Sequence, residues 1–462
     1  MASDWVKTTL GEIVKLGNGI IQTGPFGSQL HASDYVDEGI PVIMPLNIIN
    51  NKIDLSGIAR ITKEDAERLS KHLVKKNDIV YSRRGDVTRK ALITELEEGM
   101  FCGTGCLLVR PGNSIDARFL TYHLSSPINQ EWIIRHAVGA TMPNLNTGIL
   151  KRVPLNIPSL DTQKAIAYIL GSLDDKIELN RQMNETLEAM AQALFKSWFV
   201  DFDPVIDNAL AAGNTIPDEF IERAEQRKAI EKKDNSDIQN LFPDEFEFTE
   251  EMGWIPKGWA VSNVGTEFNT VGGGTPSTKN SDFWENGDIS WTTPKDLSGN
   301  QSKILLNTDR KITELGLNKI SSGLLPIDTV LMSSRAPVGY LALAKVPVAI
   351  NQGYIALKCE KILTPEFAIQ WADSAMDEIK QRAGGTTFAE ISKTNFRGIP
   401  ILVPSQKIID AYSRDVKDLY NQITSRIENI NTLAKLRDTL LPKLMSGELR
   451  IPDAETLVDE TL

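Results

Sequence analysis

Two sets of polar residues, one in each half of the 462-residue chain, combine the side chains that proteins use to contact nucleic acid. Serine, threonine and backbone N–H groups donate hydrogen bonds to phosphate oxygens, and arginine can donate two to guanine O6 and N7. For any one of these residues an ordinary surface turn is the better explanation, so the prediction depends on the recurrence of the set. The candidate DNA-contacting residues are Gln22, Thr23, Ser28, Arg83, Arg84, Arg89, Lys90, Thr141 and Asn144, followed in the second half by Thr275, Ser277, Thr278, Lys279, Ser334, Arg335, Thr386 and Thr387.

The motifs of common catalytic sites do not occur in this sequence. There is no Gly-x-x-x-x-Gly-Lys-Ser/Thr loop, and the glycines at 17–19 and 272–274 lack the strand–glycine–helix context of a dinucleotide site. The four histidines show no His-Glu-x-x-His spacing. Residues 201–204 have the wrong order for the motif of amino-methyltransferases, and residues 243–245 lack the remainder of a nuclease metal site. The sequence therefore predicts no catalytic residue, no metal and no cofactor held by this chain.

Cysteine content and hydropathy indicate an ordinary cytoplasmic protein. Cys102, Cys106 and Cys359 are too few for a disulfide framework. Cys102 and Cys106 could ligate a metal, but no His or Cys pair completes a set of four ligands. We therefore predict that these cysteines are buried in apolar surroundings. No apolar run approaches 18 residues and residues 1–5 show no signal-peptide pattern, so we expect a cytoplasmic location and no membrane.

Two long helices are predicted, over residues 161–198 and 405–445, because their non-polar residues recur at steps of three and four. The narrow stripe is typical of a coiled-coil partner, in which a buried asparagine lowers stability but fixes register. A core helix of a globular domain is the alternative for either helix alone. At about 1.5 Å per residue, the first helix would span roughly 55 Å and could act as a spacer. The predicted seam residues are Ile166, Leu170, Leu173, Ile177, Asn180, Leu187 and Leu194 in the first helix and Val416, Leu419, Ile423, Ile430 and Leu440 in the second.

The chain contains an internal repeat, in which residues 5–173 align with residues 259–416. Within it, Ser82-Arg83 stands opposite Ser334-Arg335. Each block mixes short β-branched runs with turns and short helices, which predicts an α+β fold with a strand-rich core. The predicted divisions are a globular domain at 1–158, a helix at 159–204, a partly mobile acidic linker at 205–253, a second globular domain at 254–404, a helix at 405–448 and an acidic tail at 449–462.

The net charge of −11 does not exclude a nucleic-acid partner, because the excess of acid is local. Residues 213–252 carry twelve acidic and five basic side chains, for −7, and residues 451–462 carry four acids and no base, for −4. These two segments account for the whole net charge. The remainder is neutral overall and can present local basic faces, on which DNA binding depends.

The longest motifs resemble the specificity subunits of type I restriction–modification systems, often called HsdS. They are Leu-Phe-Lys-Ser-Trp-Phe-Val-Asp-Phe-Asp-Pro at 194–204, Gly-Trp-Ile-Pro-Lys-Gly-Trp at 253–259 and Leu-Leu-Pro-Lys-Leu-Met-Ser-Gly-Glu-Leu at 440–449, with shorter pieces at 24–28 and 385–387. The resemblance covers nearly the whole length of the chain.

The resemblance implies two target-recognition domains separated by two long antiparallel coiled-coil helices with pseudo-twofold symmetry. It also implies that the chain reads a bipartite, asymmetric sequence in double-stranded DNA and is not itself an enzyme. Its partners would be two methyltransferase subunits, which would hold S-adenosylmethionine, and restriction subunits in the full complex. Two alternatives stay open, a self-contained DNA methyltransferase or nuclease with atypical motifs and a coiled-coil adaptor that binds only protein.

Overall fold

The computed structural model describes residues 5–26, 29–139, 141–230, 236–299, 302–385 and 389–461. The chain divides into two compact units that do not follow its linear halves. Unit 1 comprises Met1–Glu178 and Asn429–Leu462, and unit 2 comprises Leu179–Glu428. Each unit thus holds one block of the repeat and part of each long helix.

Unit 1 opens with short strands and helices whose ends are set by local side chains. Thr9 caps the first helix, because its hydroxyl accepts a hydrogen bond from Glu12 N while the Glu12 carboxylate accepts one from Thr9 N. The strands are β1 (Val6–Thr9), β2 (Ile20–Thr23), β3 (Tyr35–Val36), β4 (Ile40–Ile43), β5 (Ile48–Ile49), β6 (Lys52–Ile53), β7 (Arg60–Ile61), β8 (Ile79–Ser82), β9 (Lys90–Leu92), β10 (Phe101–Cys102), β11 (Cys106–Arg110) and β12 (Pro154–Ile157). The helices are α1 (Leu10–Leu16), α2 (Lys63–Arg68), α3 (Ala117–Ser125), α4 (Pro127–His136) and α5 (Thr147–Lys151), with 3-10 turns at Ala32–Asp34, Pro45–Asn47 and Ser70–His72.

The larger sheet of unit 1 has the strand order β2-β11-β8-β9 and divides the interior into two cores. Successive side chains of a strand point to opposite faces. Tyr81 and Leu107 therefore face the core shared with the helices, whereas Val80 and Leu108 join a second cluster on the other face. A smaller sheet, also of four strands but with mostly shorter ones, has the order β10-β4-β7-β3, and β1 pairs with β12.

The first long helix, α6, runs from Leu160 to Phe199 and has 40 residues, which confirms the prediction from periodicity. The chain continues into unit 2 through α7 (Asp203–Ala212), α8 (Ile221–Lys228), α9 (Ser236–Gln239), α10 (Val264–Glu267), α11 (Glu314–Leu317), α12 (Pro365–Ser374), α13 (Met376–Gln381) and α14 (Lys393–Arg397), with 3-10 turns at Asp218–Phe220, Ser281–Phe283 and Pro294–Leu297. Its strands are β13 (Phe246–Thr249), β14 (Gly253–Pro256), β15 (Ala260–Asn263), β16 (Asn269–Gly272), β17 (Ile289–Thr292), β18 (Ile304–Leu305), β19 (Arg310–Ile312), β20 (Val330–Ser334), β21 (Val338–Ala344), β22 (Ala349–Ile350), β23 (Tyr354–Lys358) and β24 (Pro400–Val403).

The described part of the predicted acidic linker folds against unit 2 rather than forming an open connection. Asp203 accepts two hydrogen bonds from Arg223, each of 2.7 Å, and an ion pair joins Asp207 to Arg227. Phe242 is 6% exposed in the core of unit 2. The acidic composition predicted a partly mobile linker with some helix at residues 219–233. The helix is present as α8, but the sequence alone did not show that Arg223 and Arg227, one helical turn apart, pair with carboxylates on α7.

Unit 2 repeats the topology of unit 1 except at one edge of each sheet, where the larger sheet gains β18 and the smaller has three described strands instead of four. Its larger sheet has the order β16-β23-β20-β21-β18, its smaller sheet the order β19-β17-β22, and β15 pairs with β24 as β1 pairs with β12. The Asn263 side chain caps α10 by accepting from Thr266 N, as Thr9 does for α1. The internal repeat predicted from the sequence is confirmed by this shared topology.

The second long helix, α15, runs from Gln406 to Ser446 and ends before Gly447, whose φ of +72° favours glycine. The predicted acidic tail contains a further helix, α16 (Ile451–Asp459). Ala454 and Val458 of α16 are buried in the core of unit 1, which explains why this segment is folded despite its charge.

The two long helices pack against each other in each unit. In unit 2, the Gln370 amide bridges Glu188 of α6 and Tyr420 of α15 at 3.1 and 2.7 Å, and the ring of Trp198 lies 5.9 Å from that of Tyr412. Residue numbers rise along α6 as they fall along α15, so the helices are antiparallel, as expected. Among the predicted seam residues, Ile166, Leu170, Leu173, Ile177, Asn180, Val416, Ile423 and Leu440 are buried, whereas Leu187, Leu194, Leu419 and Ile430 are partly buried.

Candidate nucleic-acid interface

Unit 1 brings most of its predicted residues to one edge of the larger sheet. Here β2 and β8 end and β11 and β9 begin, since antiparallel neighbours run in opposite directions. Gly24 N donates to Cys106 O and Arg83 N donates to Gly105 O, both at 2.9 Å. The predicted residues at or next to this edge are Gln22, Thr23, Arg83, Arg84, Arg89 and Lys90.

A turn closed by Val138 and Asn144 lies against this edge and carries two further predicted residues, Thr141 and Asn144. Val138 and Asn144 exchange backbone hydrogen bonds of 3.0 and 2.8 Å, and Asn144 also forms a β-bridge with Arg84. Leu145 N donates to Arg83 O at 2.8 Å. The half-buried Asn144 is thus held beside the two arginines, and the exposed Thr141 lies in the same turn.

Unit 2 builds the same arrangement after β20. Gly384 and Glu390 exchange backbone hydrogen bonds of 3.0 and 2.8 Å, and Glu390 forms a β-bridge with Arg335. Ile391 N donates to Ser334 O at 3.0 Å. Both units therefore present an arginine at the end of a central strand, joined to a turn that comes just before a short helix.

The sheet register corrects the alignment of these arginines by one position. Arg83 N bonds to Gly105 O in unit 1, and the equivalent bond in unit 2 joins Ser334 N to Gly353 O. Arg84 is therefore the counterpart of Arg335, and Arg83 is the counterpart of Ser334. The Ser-Arg pair occurs in both halves, but strand pairing rather than residue identity sets the structural equivalence.

The arginines differ in how they are held. Arg84 is exposed, and no side-chain hydrogen bond or ion pair involves its guanidinium within the described ranges. Arg89 pairs with Asp86 at 3.3 Å, and Arg335 approaches Glu390 at 3.7 Å with both side chains more than one third exposed. Exposed pairs of this kind contribute about 0–1 kcal/mol, so DNA phosphates or bases can replace the carboxylate.

Lys90 and Ser334 are unsuitable as surface contacts, contrary to the prediction. Lys90 is fully buried because its strand register places it beside Tyr81 on the core face, with Nζ 5.8 Å from the centre of that ring. Burial lowers the pKa of Lys90 to about 8, and no described residue accepts a hydrogen bond from its ammonium. Ser334 is 4% exposed within β20. The backbone of Ser334 instead anchors the adjacent turn.

The predicted loop of unit 2 at residues 274–279 is exposed and tied to the same sheet. Thr275 Oγ1 donates to Gln352 Oε1 at 2.6 Å, and Gln352 directly precedes Gly353, which bonds to Ser334. The side chains of Thr275, Ser277, Thr278 and Lys279 are exposed.

Ser28, Thr386 and Thr387 lie outside the described residues. Sequence reasoning overlooked Gln352, which follows Asn351 in a turn that has no counterpart among the quoted motifs. It also overlooked Arg310, whose only sequence signal is its place two residues before Ile312-Thr313, a pair that recurs in the first block as Ile61-Thr62. In unit 1, Gln22 is less available than predicted, because its amide donates to Lys71 O at 2.6 Å.

Neither a metal-binding cluster nor a helix able to span a membrane is present in the described ranges. No group of three or more His, Cys, Asp or Glu side chains there could hold a metal ion. Cys102 and Cys106 are free and buried, and burial raises the pKa of Cys102 to about 12. None of the described helices is both long and apolar enough to cross a membrane.

Comparison with known proteins places both blocks in one family. A family model described as the type I restriction modification DNA specificity domain matches residues 2–189 and 256–432. The HindI specificity subunit of a type I restriction enzyme from Haemophilus influenzae is 29% identical over 476 residues, which cover 97% of this chain and 100% of that protein. The MjaIX specificity subunit from Methanocaldococcus jannaschii is 25% identical, covering 91% of this chain and 89% of that protein.

A solved structure has the same fold. The S subunit of a type I restriction–modification system from M. genitalium superposes with a TM-score of 0.55 over 96% of each chain, at 18% sequence identity. The matched family, the two similar subunits and this fold agree with the resemblance seen in the motifs.

Proposed function

We propose that each unit reads one half of a bipartite, asymmetric DNA target, since this chain belongs to the family of the type I restriction modification DNA specificity domain. The observation that carries the proposal is the repeated pairing of a strand-end arginine with a turn, Arg84 with Asn144 in unit 1 and Arg335 with Glu390 in unit 2. The equivalent positions carry different side chains, so the two half-sites should differ in sequence.

The proposed division of roles within each interface follows from side-chain chemistry. The exposed hydroxyls and the ammonium of residues 275–279 would contact phosphates, which position the protein but carry little sequence information. Arg84 and Arg335 would contact base edges, where a two-bond contact with guanine discriminates by about 1–3 kcal/mol. In unit 1, Thr23 and Thr141 would position the DNA beside Arg84.

The proposal assigns recognition rather than catalysis to this chain. Two methyltransferase subunits would bind it and carry S-adenosylmethionine, and restriction subunits would join the full complex. The support is the name "specificity subunit" shared by the relatives and the lack of catalytic motifs in the sequence. The domain boundaries, the spacer role of the long helices and a cytoplasmic location remain parts of this proposal.

The test is base-resolution mapping of DNA methylation in a host that carries this chain with the methyltransferase of its own system. Arg84→Ala and Arg335→Ala should each relax one half-site, by about 1–3 kcal/mol, and leave the other unchanged. Arg450→Ala, immediately before α16, and Arg414→Ala on α15 are matched controls, because both side chains are exposed. Unchanged specificity in both candidate variants would refute the assignment of these arginines.

Two further measurements separate the alternatives. Methyl transfer or DNA cleavage by the purified chain without partners would favour a self-contained enzyme. Absence of sequence-selective, salt-dependent DNA binding by the assembled complex would favour a protein-only adaptor.

Exchanging residues 1–150 for those of a related subunit should change one half-site only, and a change in both would contradict modular reading.

A further inference from the structure

Arg310 of unit 2 is an exposed arginine that lies over the ring of Trp284 and beside that of Trp291. Its guanidinium carbon lies 3.6 Å from the centre of the Trp284 ring and 5.4 Å from that of Trp291, and the two rings meet edge to face with centres 5.0 Å apart. Within the described ranges, no side-chain hydrogen bond or ion pair occupies its N–H groups. The guanidinium is therefore fixed in orientation while its donors stay available.

The tryptophans are in turn anchored to the loop proposed to contact DNA. Trp291 Nε1 donates to Gly274 O at 3.1 Å, and Trp284 Nε1 donates to Ser277 O at 3.0 Å. Trp291 is 3% exposed and pairs directly with Arg310 across β17 and β19. Arg310 is thus held next to residues 274–279 through both rings.

The arrangement of Arg310, Trp284 and Trp291 has no equivalent at the corresponding positions of unit 1. Ile289 pairs with Ile312 in unit 2 as Ile40 pairs with Ile61 in unit 1, so Trp291 and Arg310 correspond to Val42 and Ala59. Sequence alignment of the repeat places Val36 opposite Trp284. All three members of the stack are thus replaced by small aliphatic residues, and whatever Arg310 recognises is recognised by unit 2 alone.

We propose that Arg310 is a base-reading residue, which donates two hydrogen bonds to a guanine in the half-site read by unit 2. This inference rests on the proposed function. A phosphate contact requires only a positive charge, whereas two-bond contact with O6 and N7 requires a guanidinium plane of fixed orientation. Stacking on Trp284 supplies that orientation and reduces the side-chain freedom lost on binding.

The test measures binding of the complex with its methyltransferase to duplexes in which each base pair of the target is changed in turn. The wild-type complex should lose about 10- to 100-fold in affinity when one particular G·C pair in the unit 2 half-site is replaced. Arg310→Ala and Arg310→Lys should lose this discrimination at that pair alone, because lysine cannot form the two-bond contact. The adjacent, exposed Lys311 provides the control, since Lys311→Ala removes the same charge and should keep it.

Discrimination that survives in Arg310→Ala at every position would overturn the inference. So would a uniform loss of affinity for all duplexes with a weaker salt dependence, which would identify a phosphate contact. A wild-type complex that distinguishes no sequence at all would refute the proposed function and this inference together.

Discussion

Replacing Lys90 by Met should stabilise unit 1. Lys90 is fully buried, and its pKa falls from the ordinary 10.5 to about 8 because burial disfavours the ammonium ion. At about 1.36 kcal/mol for each pH unit, holding the charged form inside at pH 7 costs about 3 kcal/mol. Methionine has a similar shape without the charge, so we expect the free energy of unfolding to rise by about 2–3 kcal/mol at pH 7.

The gain should depend on pH in a direction fixed by the pKa of Lys90. Between pH 8 and 10.5 the unfolded chain keeps the Lys90 proton that the folded chain has released. Stability therefore rises with pH over this range. Below it, the folded protein bears the full free-energy cost of burying the Lys90 ammonium. The difference between Lys90→Met and wild type should be constant up to about pH 7.5 and should shrink steadily as the pH approaches 10.

Differential scanning calorimetry from pH 7 to pH 10 provides the measurement. For a unit of this size, the melting temperature of unit 1 should rise by about 5–10 °C at pH 7. Arg89→Met is the matched control, because Arg89 is the exposed neighbour of Lys90 and loses the same charge. Its effect should stay within about 0.5 kcal/mol at all pH values. A Lys90→Met protein no more stable than wild type, or a gain that does not shrink with pH, would refute the reasoning.

Two buried ion pairs give further predictions. Lys303→Met leaves the Glu188 carboxylate, whose side chain is 10% exposed, without its cation, and should lower the free energy of unfolding by about 3 kcal/mol. Glu188→Gln should lower it less, because Lys303 keeps its ion pair with Asp373 at 2.8 Å. Urea unfolding followed by tryptophan fluorescence reports this, since six of the eight tryptophans lie in unit 2; equal costs would contradict it. Asp78→Ala removes both hydrogen bonds of 2.8 and 2.6 Å to Arg110 and should cost about 3 kcal/mol by calorimetry, and a change below about 0.5 kcal/mol would count against a structural role for the pair.

Two signals in the sequence correctly predicted the long helices and the repeat. The spacing of Ile166, Leu170 and Leu173 depends on helical geometry alone, and these residues are buried as a helical stripe requires. The paired order of motifs likewise predicted the two similar α+β blocks. Both signals extend over many residues, so a local exception does not hide them.

Features decided by tertiary pairing were not predictable from the sequence. The adjacent Arg89 and Lys90 suggest a basic surface, yet the partner strand turns only Lys90 inwards. The one-residue shift between Arg83 and Arg84 depends on hydrogen bonds to a distant strand. The contact between Trp284 and Arg310 joins the end of a 3-10 turn to β19, far apart in the sequence, so no local spacing indicates it.

Unit 1 is formed from two separate segments of the chain, so it cannot finish folding until the second segment has been translated. Its core contains Leu433, Leu440 and Val458 beside Leu170 and Leu173, with 250 intervening residues that belong to unit 2. At about 5–20 residues per second, the ribosome needs roughly 10–50 s to supply the missing part. During that interval Leu170 and Leu173 lack the C-terminal side chains that cover them in the finished unit, so unit 1 can complete its core only after unit 2 has been synthesised.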